Sequence, residues 1–226
     1  DYSRVLDVLP ASGEGWRHRG AARLAWAQSK SDNHEARRLI AAAIVDLEHA
    51  IGLDPYLLDG HRLRVRALEA WDRCEGSGPS PGWRTLIARA DLELVQGNYS
   101  AAQPSYEEAL QVQAGDRGSE LAIGASDAPL HLSKADETLL RNVHYDLACI
   151  LSLASAGRDR RDAQPKLVEP NQAVRLRDRA IHHLDEAVRL GWSDRGHLEA
   201  DMDLEPLRSD SRWVHLLEKL EIPAPK

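Results

Sequence analysis

Apolar residues recur at the 3.6-residue spacing of an amphipathic helix along almost the whole chain, and no stretch shows the strict alternation of a half-buried strand. That pattern predicts an all-α fold. Proline and glycine punctuate it. Helices are expected at 2–9, closed by Pro10, at 14–28, and at 34–53, ended by Pro55. Others are expected at 56–73, 83–96, 100–113, 134–156 and 171–190, with short ones at 204–208 and 211–220 before Pro223. Gly191 falls where a helix C-cap glycine would sit, and Ser133 with Asp136 resembles a capping box with Asp in place of Glu. Between the helices lie a Gly/Pro/Ser loop at 75–82 and two longer polar breaks, 114–132 and 157–170. The last break holds Arg158-Asp-Arg-Arg-Asp162, a mixed-charge run that reads as a solvated loop. Helical pattern resumes on both sides of every break, so residues 1–226 read as a single all-α unit.

Composition removes several classes of function. With 29 Lys and Arg against 36 Asp and Glu in 226 residues, the net charge of -7 argues against nucleic acid as the main partner, because phosphate affinity needs a basic surface. No apolar run reaches the roughly 18 residues of a transmembrane helix, so no membrane association is expected. Cys74 and Cys149 cannot make a disulfide framework and match no zinc spacing. No signal peptide is visible either, and the expected setting is reduced and cytoplasmic. A preference for Arg over Lys, six Trp and no Phe suggests a GC-rich, bacterial genome.

Helical chains call for a search for internal repeats. In Leu86 through Ala109, the residues Ala90, Gly97, Tyr99, Ala102, Tyr106 and Ala109 fall at the spacing of a helix, a tight turn and a second helix. This segment resembles the tetratricopeptide repeat (TPR), whose antiparallel helices place small residues where they cross. Trp16 and Gly20, then Ala43, Leu47, Ala50 and Pro55, match the same pattern with about 11 residues added to the 34-residue unit. Leu147 and Ala148 with Ala180, Leu184 and Ala187 match it again, with a larger insertion. Pro10 to Trp16 repeats the six-residue step from Pro55 to His61, so 1–13 reads as the end of a preceding repeat and the chain as a fragment of a larger protein. Residues 14–190 then hold helix pairs with insertions. The 191–226 segment, with Asp201-Met-Asp-Leu-Glu-Pro-Leu-Arg208 and Trp213-Val-His-Leu-Leu217, looks like a C-terminal cap, which shields the last apolar face. One irregularity stands out: 56–73 and 83–96 both read as the first helix of a pair. Either a second helix is missing, or these two pair with each other.

The resemblance implies an α-solenoid of about three to four irregular TPR-like antiparallel helix pairs. It also implies a concave groove that binds a partner peptide or protein domain. Its groove positions map to Arg17, Asp59, Arg62, Arg66, Glu69, Arg84, Asp91, Asn142, Tyr145 and Cys149. Of these, Arg17, Arg62, Arg66, Arg84, Asn142 and Tyr145 are the expected partner-binding residues. Arg62 and Arg66 are four apart on one helix face, suited to holding a carboxylate jointly. The plainer alternative is pairing with Asp59 and Glu69. The two-carboxylate clamp of some TPR proteins is broken by Ala21, Leu63 and Ala88.

Chemistry is sparse. His182-His-Leu-Asp-Glu186 places His182 and Glu186 one turn apart without an HExxH motif, and the repeat frame turns the run outward. Asp201, Asp203 and Glu205 lack the Gly and terminal Glu of a calcium loop. Cys149 sits among Leu147, Ala148, Ile150 and Leu151, as a packing residue would, while Cys74 borders a loop. The tryptophans read as packing residues rather than a ligand cage, and no phosphate loop or dinucleotide fingerprint appears. The expectation is therefore a non-enzymatic interaction scaffold without cofactor or metal. Its family context is the C-terminal region of a signalling protein such as a serine/threonine kinase. The alternatives are a structural module that self-associates as a homodimer or braces a neighbouring catalytic domain, and an enzyme using His182, His183 or Cys149.

Overall fold

The computed structural model describes residues 2–76, 80–122, 133–159 and 166–221, and every described regular element is helical. The chain divides into two compact units, Asp1–Ala114 and Gly115–Lys226, where the sequence pattern suggests one continuous array.

The first unit contains α1 (Tyr2–Val8), α2 (Gly13–Gln28), α3 (Asn33–Leu53), α4 (Leu58–Glu75), α5 (Trp83–Val95) and the start of α6 (Tyr99–Ala122). Caps set the boundaries. Ser12 Oγ accepts the Gly15 amide at 3.0 Å, and Asp32 Oδ1 accepts the His34 amide at 2.9 Å. Consecutive helices run antiparallel: Arg19 meets Asp46, Arg37 meets Glu75, Glu69 meets Arg89, and Asp91 meets Tyr106. The residues added to the first repeat lie in its helices, since α2 and α3 have 16 and 21 residues and residues 29–32 join them.

Small residues set the closest approach. A Cβ placed on Gly20 would lie 2.9 Å from Leu47 Cγ and 3.2 Å from the Ala43 carbonyl oxygen, so only hydrogen fits where α2 crosses α3. Leu24, Ala27, Ile40, Ala43 and Leu47 form a buried cluster there with Ala67 and Ala70 of α4. Pro10 and Pro55 serve equivalent joints. Trp16 Nε1 donates to the Pro10 carbonyl at 2.7 Å, and His61 Nε2 donates to the Pro55 carbonyl at 2.9 Å. The six-residue step seen in sequence is therefore one hydrogen bond used twice.

The α4–α5 ambiguity resolves in favour of direct pairing: Val65 and Leu68 pack on Ala88. Asp72 near the end of α4 accepts the Gly82 amide at 2.9 Å and the Thr85 hydroxyl at 2.7 Å, so its carboxylate caps the start of α5 from the neighbouring helix. Gly97, at φ 77°, then reverses the chain. The Asn98 amide reaches the Glu93 carbonyl and the Gly97 amide that of Leu94, both at 2.8 Å, which is a Schellman closure. Ala90, Ala102, Tyr106 and Ala109 are all fully buried. Helix α6 continues to Ala122 instead of ending at 113, through part of the expected 114–132 break. The rest of that break, 123–132, lies outside the described residues, as do 77–79 and 160–165 of the other two loops.

The second unit holds α7 (Lys134–Ser155), α8 (Pro170–Arg189), α9 (Arg195–Ala200), a 3₁₀ helix (Met202–Leu207) and α10 (Ser211–Glu221). Ser133 caps α7, accepting the Asp136 amide at 3.1 Å and donating to its carboxylate at 2.8 Å. Gly191, at φ 95°, closes α8 with a Schellman pair, the Trp192 amide on Ala187 and the Gly191 amide on Val188, both at 2.9 Å. Helix α9 escaped the sequence pattern because six residues carry too little periodicity. Leu198, Leu204, Leu207, Trp213, Leu216 and Leu217 of the C-terminal segment bury against Ala148, Leu151, Ile181 and Leu184.

The α2–α3 crossing yields two predictions of opposite sign. Gly20→Val should lower unfolding free energy by about 2–3 kcal/mol, since neither Leu47 nor the α3 backbone has room to move. Gly52→Ala, on a helical glycine with nothing within 4 Å, should raise it by about 0.5 kcal/mol. Urea unfolding midpoints of the two variants check both.

Candidate functional site

Helix α4 presents two exposed members of the expected binding set, Arg62 and Arg66. Gly60, His61, Arg64, Val65, Ala67, Leu68 and Ala70 are buried, which fixes the rotation of the helix and turns Arg62 and Arg66 to the exposed side. Arg62 makes a 3.3 Å contact with Asp59 in which both side chains are more than half exposed, a pair worth little in water. Arg66 makes no hydrogen bond or ion pair among the described residues. Arg73, seven positions on, is exposed along the same line and likewise without a partner among the described residues. Glu69, between them, is held by Arg89 of α5 at 2.8 Å. The outcome is a basic stripe, Arg62, Arg66 and Arg73, on a helix whose back is locked into the core. Sequence reasoning missed Arg73, though its i+7 spacing from Arg66 was a usable signal.

The other expected positions are occupied differently. Arg17 is held by Glu14 at 2.6 Å and touches His18, so its charge is engaged within α2. Arg84 is exposed, with its guanidinium 5.2 Å from the centre of the Trp83 ring. Asp91 is a packing anchor that accepts from Arg64 and, at 2.5 Å, from the Tyr106 hydroxyl. Asn142 is exposed on α7 in the second unit. Tyr145 requires a correction. It is only 7% exposed, lies face to face with Trp192 at 4.1 Å between ring centres, and donates its hydroxyl to Asp201. Burial and that acidic neighbourhood push its phenol far above the usual range. Tyr145 pins the C-terminal segment to α7 and is not a groove residue.

The residues with catalytic potential are placed plainly too. Cys149 is buried, and burial with the nearby Asp201 raises its thiol well above the usual value, so it stays protonated. Cys74 is half-buried and packs against the cluster that α4 shares with α2 and α3. Asp201 caps the 3₁₀ helix through the Asp203 amide at 2.9 Å, and Glu205 pairs with Arg158 at 3.1 Å. Among the described residues, no three His, Cys, Asp or Glu side chains converge as a metal site. Five of the six tryptophans face a cation of their own chain: Arg19, Lys30, Arg37, Arg84 and Arg141. Trp26 is nonetheless 55% exposed, whereas Trp213, the sixth, is buried in the C-terminal core.

His182 is exposed, as the sequence frame requires, but His183 is not turned outward. It faces α7, with its Nδ1 2.9 Å from His144 Nδ1. Burial lowers both imidazoles, His183 to about 3, with the neighbouring His144, His182 and Arg179 adding to the effect and Glu186 opposing it.

Buried charge was equally invisible in the sequence. Asp46, 1% exposed, accepts Arg19 bidentately at 2.8 and 3.1 Å and Arg23 at 2.6 Å, tying α3 to α2. Comparison with known proteins returns no match: no family model, curated protein or solved structure is significantly similar to the chain.

Two outcomes follow. The folded chain disfavours protons on His144 and His183 that the unfolded chain accepts below about pH 6.5, so stability is full above that pH and falls as pH drops toward 5, at up to about 1.4 kcal/mol per unit for each group. Urea unfolding of the parent and a His183→Gln variant at several pH values should show the slope flattened in the variant. Tyr145→Phe should cost about 1–3 kcal/mol by leaving Asp201 short of a donor. Thermal unfolding measures this loss, which a groove residue would not show.

Proposed function

We propose that this chain is a non-enzymatic interaction scaffold, a TPR-like helical array that binds an acidic stretch of a partner protein along α4. The observation that carries the reading is the stripe of Arg62, Arg66 and Arg73. These three cations are exposed and poorly neutralised by their own chain, on a helix whose opposite face is buried. Leaving Arg66 and Arg73 unpaired among the described residues, and Arg62 held only by an exposed pair with Asp59, in a chain of net charge -7 favours a carboxylate-rich ligand that meets them at helical spacing. The TPR reading is supported by the buried Ala90, Ala102, Tyr106 and Ala109, by the Gly97 turn, and by the paired Trp16–Pro10 and His61–Pro55 contacts. It brings a solenoid architecture, a cytoplasmic setting and recruitment by a signalling protein as the corresponding context. The exposed Asn142 and Arg84 are secondary contact positions.

A second reading, a bracing or self-association module, is favoured by α1. Its Val5 and Val8, and Leu9 just after it, are exposed, Val8 at 78%, while Leu6 alone of the helix is buried. Such an apolar face seeks a cover. Doubled mass in light scattering, lost on Val8→Lys, would favour this reading.

The scaffold reading is tested with fluorescent peptides of matched length, one set rich in Asp and Glu and one neutral, titrated with the parent and with an Arg62→Glu/Arg66→Glu variant. The acidic peptides should bind the parent in a salt-dependent way, and the variant should bind about tenfold or more weakly at unchanged stability. Equal binding by parent and variant would remove α4 as the site.

A further inference from the structure

His144 and His183 meet across the α7–α8 interface with nothing between their Nδ1 atoms, 2.9 Å apart, and with ring centroids 5.1 Å apart. As a hydrogen bond, the contact requires one Nδ1 to carry hydrogen and the other to offer its lone pair. We propose that this pair is a binding site for a divalent transition-metal ion of the copper(II) or nickel(II) class, with the two Nδ1 atoms as neighbouring ligands and water completing the shell.

Kept on binding, the separation sets the class of ion. Metal–imidazole bonds of about 2.0–2.1 Å spanning 2.9 Å subtend an angle of about 90° at the metal. That is the angle between adjacent ligands in tetragonal or octahedral coordination, as copper(II) and nickel(II) prefer. A tetrahedral zinc ion would need the nitrogens about 3.3 Å apart, so α7 and α8 would have to separate. Imidazole donors and the order of divalent affinities both place copper(II) first. No third protein ligand converges on the pair among the described residues, which leaves the remaining positions to water.

Binding exchanges the hydrogen bond for two coordinate bonds. The ring that carried hydrogen on Nδ1 shifts it to Nε2, and both lone pairs turn toward the ion, so neutral imidazoles release no net proton. Glu186, one turn beyond His183 on α8, acts on both histidines and supplies negative charge near the ion. It is held by Arg189 at 2.7 Å, and Arg189 with Arg179 supplies opposing positive charge. The ion would clamp α7 to α8 at mid-helix, so metal binding should raise the unfolding temperature.

Copper(II) chloride, nickel(II) chloride and zinc chloride titrated into the protein at neutral pH, followed by calorimetry, form the test. One equivalent of copper(II) should bind most tightly, nickel(II) next and zinc weakest. His144→Gln and His183→Gln should each lose that equivalent, while His182→Gln keeps it. Electron paramagnetic resonance of the unmutated protein with one equivalent of copper(II) gives an answer that does not depend on variants folding, and two coupled imidazole nitrogens are expected. A spectrum with fewer than two, or an equivalent that survives both substitutions, overturns the site.

Discussion

Everything in the first unit depends on how closely α2 and α3 approach at Gly20. Two helices that bury one stripe each can share a core only if their backbones come near enough for Leu24, Ile40 and Leu47 to interdigitate, and any side chain at Gly20 would stand in that space. The other junctions use alanine for the same purpose: Ala67 and Ala70 on α4, Ala88 and Ala90 on α5, Ala180 and Ala187 on α8. Fewer apolar atoms then sit at each crossing, and the remaining hold comes from polar contacts.

Acidic residues supply much of it. Asp46 joins α3 to α2, Asp72 joins α4 to the start of α5, Asp91 gathers Arg64 and Tyr106, and Asp201 receives Tyr145. Each carboxylate meets donors from a second helix, which is what allows it to sit away from water. These four carboxylates are thus engaged by donors of the fold itself. The exposed arginines of α4 stand out because that neutralisation stops short of them.

Much of the helical layout was legible in the sequence, because caps, prolines and glycines act locally. Ser133, Pro55, Gly97 and Gly191 each do what their position predicts. The burial of Ala90, Ala102, Tyr106 and Ala109 was equally readable from helical spacing. What could not be read are contacts between residues far apart in the chain. Tyr145 was placed in a groove because its register fits one, yet Asp201, 56 positions away, draws it inward. His183 turned toward α7 because His144, 39 positions away, faces it. The extension of α6 to Ala122 runs against the polar break that the sequence places at 114–132. Arg62 and Arg66 were found on an exposed face because the apolar stripe of α4 leaves only one side open, and the same logic reaches Arg73.

The direct α4–α5 pairing has a consequence for how the chain reaches this state. From α2 to α6 each helix packs on the next one in sequence, so most contacts in that unit close short loops. Such topologies have low contact order, and their assembly needs no distant segments to find each other before stabilising contacts form. Each hairpin can form in turn as the chain emerges, with the turn at Gly97 and the joints at Pro10 and Pro55 setting the direction of the following helix. Extra residues between hairpins would add only loop-closure entropy, about 0.6 kcal/mol per doubling of loop length. A chain built this way can gain or lose segments at its junctions over evolutionary time while its neighbouring pairs keep their packing.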